Sequence, residues 1–86
     1  MPEISRFYGI VIKMYFIDHS PPHFHAEYGE YVAEYDIHAL KVMAGKLPNR
    51  ANALVVEWAS LHQEELILNW DKTQIPEKLD KIEPLD

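Results

Sequence analysis

Two imidazoles one residue apart on an extended segment face the same side of a sheet, about 7 Å apart at roughly 3.3 Å of rise per residue. His23 and His25 stand in that relation, inside the stretch DHSPPHFHAEY (residues 18–28), which also holds His19 and two of the chain's six prolines. Two such ligands suit one divalent ion such as zinc, nickel or iron, with Glu34, Asp36, Asp18 or His19 completing the set. The same residues suit proton transfer, His25 and Glu34 being the natural carboxylate-oriented pair and Lys13 a cation for a charged intermediate. They equally suit a loop and strand that use histidine only as a polar aromatic. H-x-H by itself is a weak motif; His19 and the acids across the strand make it more specific.

A second group of polar residues sits where a helix should be apolar. Residues 49–72 read as one long helix, with Asn49 as N-cap and Ala51, Leu54, Val55, Trp58, Leu61, Leu66 and Leu68 on one broad stripe. His62, Glu65 and Asn69 fall within that stripe, and a buried imidazole or carboxylate is costly unless hydrogen-bonded. His62 and Glu65, three residues apart, are expected to be tied together or to the strands. Trp58 and Trp70 read as core and core edge, and His38 as an exposed turn residue.

The elements that must position the histidines lie before this helix. Residues 9–17 are β-branched and aromatic and read as a strand, with Ile10, Ile12, Met14 and Phe16 on the buried face. Residues 18–22 form a loop, since Pro21 and Pro22 cannot donate to a ladder. Residues 23–28 and 31–37 read as a hairpin around the turn Gly29-Glu30, and residues 39–44 as a weaker fourth strand. That turn pairs Tyr28 with Tyr31, Ala26 with Ala33 and Phe24 with Tyr35 on the buried face. The opposite face then carries His25 beside Glu34, His23 beside Asp36 and Glu27 beside Val32, all pointing away from the helix. The expected fold is α+β: a four-stranded antiparallel meander packed against one long C-terminal helix, over residues 1–75. Residues 76–86 form an extended tail whose Leu79, Ile82 and Leu85 can pack back onto the domain or onto a partner. No internal repeat or low-complexity segment is visible.

Composition narrows the function. At 86 residues, 48% apolar and 12% aromatic, the chain suits one folded domain, and dimerisation would help so small a core. No cysteine is present, which removes disulfides, thiolate catalysis and Cys-ligated zinc. The net charge of −6 opposes non-specific nucleic-acid binding, although Arg6, Lys13, Lys41, Lys46 and Arg50 leave room for a small basic patch. The N-terminus lacks the pattern of a signal peptide and no stretch is long and apolar enough for a membrane span, so the expected location is cytoplasmic. Phosphate-cradling glycine loops and the serine-hydrolase elbow are missing.

The opening PEISRFYGIVIKMYF, the segment DHSPPHFHAEYGEY, the helix LVVEWASLHQEELILNW and the ending KIEP together resemble the small bacterial family catalogued as domain of unknown function 4160. The resemblance covers nearly the whole chain, and matched positions include Pro22, His23, Phe24, His25, Ala26, Trp58, His62, Glu65, Asn69 and Trp70. It implies a single-domain protein often encoded beside another small protein, similar to toxin–antitoxin pairs, and it supplies no mechanism. The chain departs from the pattern at residues 35–38, where a more hydrophobic strand and tighter turn are expected in place of Asp36 and His38. The expected function is a small interaction module, one component of a toxin–antitoxin-like pair, using the histidine face as contact or ligand surface for a protein partner or a second copy. The rival is a metal-dependent or histidine acid/base hydrolase, a ribonuclease-like toxin built on His23, His25 and Lys13, with a divalent metal such as zinc as cofactor.

Overall fold

The computed structural model describes residues 3–86; Met1 and Pro2, which open the segment read above for a signal peptide, lie outside the described residues. The chain runs β1 (Glu3–Phe7), β2 (Ile10–Lys13), β3 (His23–Tyr28), β4 (Tyr31–Asp36), β5 (Val42–Gly45), α1 (Asn49–Leu61) and α2 (Gln63–Gln74). The strands form one antiparallel meander in the order β1-β2-β3-β4-β5. The α+β class and the antiparallel sheet are as expected; the described residues form five strands and two helices, not four and one.

The hairpin of β3 and β4 has the register that the Gly29-Glu30 turn predicts, from His23 opposite Asp36 through His25 opposite Glu34 to Tyr28 opposite Tyr31. Gly29 takes a positive φ of 60°, as the first position of such a turn requires. Phe24, Ala26, Ala33 and Tyr35 are buried, with Phe24 and Tyr35 stacked at 5.3 Å and Trp58 of α1 meeting Phe24 edge-on at 5.9 Å. Tyr28, expected in this layer, is 38% exposed, because it stands at the turn end of the hairpin.

β1 escapes the sequence pattern because a bulge between Glu3 and Ser5 breaks its alternation, leaving both Ile4 and Ser5 buried. Tyr8 and Gly9, both at positive φ, make the two-residue turn into β2. β2 ends at Lys13, four residues before the predicted end. Met14 is still buried, but Phe16 and Ile17 are exposed, and Ile17 adopts a φ of 55° as its N–H turns to the Thr73 carbonyl at 2.9 Å. The predicted fourth strand starts three residues late, since Asp36 Oδ1 accepts the N–H groups of His38 and Ala39 and holds that segment in a turn. Gly45, which ends β5, sits at a φ of 74°, where an added Cβ would collide with the Val32 carbonyl oxygen, so no side chain fits there.

The expected long helix breaks at His62, whose backbone leaves the helical region (φ −130°, ψ 24°). Pro48, not Asn49, holds the N-cap position of α1. At the break, Glu64 and Glu65 fall in the first turn of α2, where the helix dipole favours them, and the Gln63 amide donates to the Ile37 carbonyl at 2.9 Å. The break also moves Leu68 out of the apolar stripe and into solvent, and Leu61, the last residue of α1, is exposed as well. Among the described residues, no helix is long and apolar enough to cross a membrane.

Candidate metal centre

The loop between β2 and β3 brings Asp18 back over the start of β3. There Asp18 Oδ2 meets His23 Nε2 at 3.0 Å and His25 Nε2 at 3.3 Å. The three ligand atoms all lie within 4.8 Å of one another. His23 is only 1% exposed, so it does not stand on an open face, contrary to expectation. Its ring lies 5.2 Å from that of Trp70, because the end of α2 and the residue 14–22 loop close over this end of the sheet. His25 is part-buried, and Tyr15 packs edge-on against its ring at 4.6 Å.

The tautomer of His23 follows from its neighbours. Nδ1 lies 2.7 Å from the Pro21 carbonyl, which can only accept, so Nδ1 carries a proton and donates it. Nε2 therefore faces the Asp18 carboxylate either with a second proton or as a lone pair sharing a cation with it. A metal-bound histidine is usually held in this way, its other nitrogen donating to a backbone carbonyl that fixes the tautomer and the ring direction.

Asp18 is itself held from several sides. Burial pushes its carboxyl up, but the His19 N–H, at 2.9 Å from Oδ1, and the His25 and His23 rings together outweigh this and hold it below the ordinary value of 3.8. Its backbone carbonyl accepts the Gln74 amide at 3.2 Å, tying the loop to the end of α2.

The other predicted residues divide. Glu34 Oε1 comes within 3.8 Å of His23 Nε2, at the margin of the cluster. Asp36 is committed to its own turn, and its strand partner His23 turns to Asp18 instead. His19, 85% exposed on its side chain, touches the outer oxygen of Asp18 at 3.2 Å and does not reach the convergence point. Lys13 gives its ammonium to both oxygens of Glu27 at 3.1 Å. On the helices, His62 Nδ1 and Glu65 Oε1 meet at 2.6 Å, whereas Asn69 belongs to a different environment, bonded to the backbone of Asp80. Of the four residues offered to complete the set, Asp18 is the one that the fold brings to both imidazoles. Its signal was present in the two prolines that fold the loop back, but no periodicity aims a loop carboxylate.

Comparison with known proteins adds one finding. A family model described as Domain of unknown function (DUF4160) matches residues 9–71, a span that contains Asp18, His23 and His25 and ends before the last turn of α2. No curated protein and no solved structure matches the chain.

Proposed function

The chain belongs to the family described as Domain of unknown function (DUF4160), and within the matched span we propose that it binds one divalent transition-metal ion through Asp18, His23 and His25. The observation that carries this reading is the anchored Nδ1–H of His23, which aims Nε2 at the point where His25 Nε2 and Asp18 Oδ2 converge. Two atoms bound to one tetrahedral ion at about 2.0–2.1 Å lie about 3.3 Å apart. The Nε2–Oδ2 separations of 3.0 and 3.3 Å are of that size. Two imidazoles and one carboxylate suit zinc, ferrous iron or nickel better than calcium or magnesium, which prefer oxygen ligands. Three protein ligands leave coordination positions free, where such an ion would supply Lewis acidity and an acidified water. Glu34 is the side chain nearest to act as a fourth ligand or as a base.

The acid/base reading without metal receives less support, because the cation it needs, Lys13, is bound to Glu27. An interaction role, as in a toxin–antitoxin-like pair, stands as the companion reading. Exposed Tyr31, Val32, Val42 and Met43 near the β5 edge support it, while His23 is too buried to contribute contact area.

Metal analysis of protein purified without a histidine tag tests the proposal. One equivalent of zinc, nickel or iron is expected in the parent, and none in Asp18→Asn or in the His23→Ala, His25→Ala double variant. Titration with nickel or cobalt should also quench Trp70, whose ring lies 5.2 Å from His23. A parent that takes up none of these ions, or stoichiometric metal in the folded double variant, overturns the site.

A further inference from the structure

The C-terminal tail repeats every three residues: Glu77-Lys78-Leu79, Asp80-Lys81-Ile82, Glu83-Pro84-Leu85, each an acid, then Lys or Pro, then an aliphatic residue. Strands alternate every two residues and helices every 3.6, whereas a period of three is that of an extended, polyproline-II-like chain. Burial follows the repeat. Ile82 is 4% exposed, Leu79 and Leu85 are half-buried against the core, and every other residue in 74–86 is exposed.

The groove that receives this segment reads main chain more than side chain. Asn69, 1% exposed on α2, donates to the Asp80 carbonyl at 2.9 Å and accepts the Asp80 N–H at 3.0 Å. The Trp58 indole donates to the Glu83 carbonyl at 2.8 Å, and the Ile4 carbonyl on β1 accepts the Ile82 N–H at 2.8 Å. Lys72 adds a charge contact to the Asp80 carboxylate at 2.6 Å, and Lys81 reaches the Glu3 carbonyl at 2.8 Å. Backbone bonds for affinity and spaced apolar recesses for selectivity are how extended peptides are recognised. The family match ends at residue 71, so Trp58 and Asn69 lie in the shared domain and the tail lies beyond it.

We infer that the groove between β1, α1 and α2 is a peptide-recognition site, filled here by the chain's own tail, and that it accepts in trans an extended partner peptide carrying acid–x–aliphatic triplets. The inference is independent of the metal centre. A tethered tail competes at a high effective concentration, so an outside peptide binds only when the internal one is weakened.

The test uses the full-length chain carrying Leu79→Ser and Ile82→Ser, which weakens its tail and leaves the groove intact. A fluorescein-labelled peptide of residues 76–86 is titrated in and followed by anisotropy. Binding in the micromolar range is expected for this variant, with affinity for the parent at least about tenfold lower. Adding Asn69→Asp, which removes the donor and keeps the acceptor, should weaken binding to the tail variant by about tenfold. A peptide carrying the same two serines should not bind. The inference is overturned if the folded tail variant ignores the peptide, or if the serine peptide binds as well as the natural one. It is overturned equally if circular dichroism shows the tail variant unfolded, since the tail is then a fixed part of the core and not an exchangeable occupant.

Discussion

His23 with Asp18 and His62 with Glu65 both set an imidazole against a carboxylate, at similar separations of 3.0 and 2.6 Å. Their surroundings differ. His23 is buried, its second nitrogen is anchored by a carbonyl, and another imidazole converges on the same carboxylate oxygen. Glu65 is 49% exposed on its side chain, no second ligand joins it among the described residues, and its pairing with His62 lies in the first turn of α2 at the helix break. A histidine–carboxylate contact therefore marks a site only when its other valences are also directed. The closer contact is the less informative one.

The largest expected effect separates the two histidines. His23→Ala empties a buried position and strands the Pro21 carbonyl, so it should cost about 2–4 kcal/mol in a urea melt. His62→Ala loses a pair with a solvated carboxylate and some packing on Trp58, and should cost about 1–2 kcal/mol. Equal losses would erase the distinction between the two regions.

A smaller contrast sharpens it within α2. Asn69→Ala leaves the Asp80 N–H and carbonyl without their partner and should cost about 1–3 kcal/mol. Glu65→Ala, exposed and screened, should cost about 0.2–1 kcal/mol. A Glu65→Ala loss matching that of Asn69→Ala in the same thermal melts would mean that the helix break, and not burial, controls this end of the fold.

The smallest effect uses a neutral buried bond as reference. Tyr35 donates to Asn52 Oδ1 at 2.7 Å, and burial pushes its hydroxyl up to about 12 from an ordinary 10.0. Because the folded value is the higher one, its contribution is whole below the unfolded value and is lost as pH rises through the folded value. Tyr35→Phe should cost about 0.5–1.5 kcal/mol at neutral pH. It should also flatten the loss of stability between pH 10 and about 12. An alkaline limb of unchanged slope in the variant would assign that loss to another group.

Much of the fold was legible because it rests on local rules. The Gly29-Glu30 turn and the alternation of Phe24, Ala26, Ala33 and Tyr35 predicted the hairpin register residue by residue. β1 was hidden by its bulge, and the helix break by the absence of any Pro or Gly at His62. The angles that grouped Asn69 with His62 and Glu65 assumed one unbroken helix; with two, Asn69 turns to the tail. The three-residue pattern of residues 77–85, too short to read as a repeat in the sequence, gains its meaning only from the groove it faces.

By itself, then, the sequence determined the family, the hairpin and the presence of two histidines on one strand side, since each depends on neighbours in the chain or on an alternation of two. Only the tertiary structure decided that Asp18 meets both imidazoles, that Trp70 covers His23 and that Asn69 holds the tail. Those contacts join loop, sheet, helix and tail across the packed core. Their direction is set by how whole elements close on one another, which no local spacing encodes.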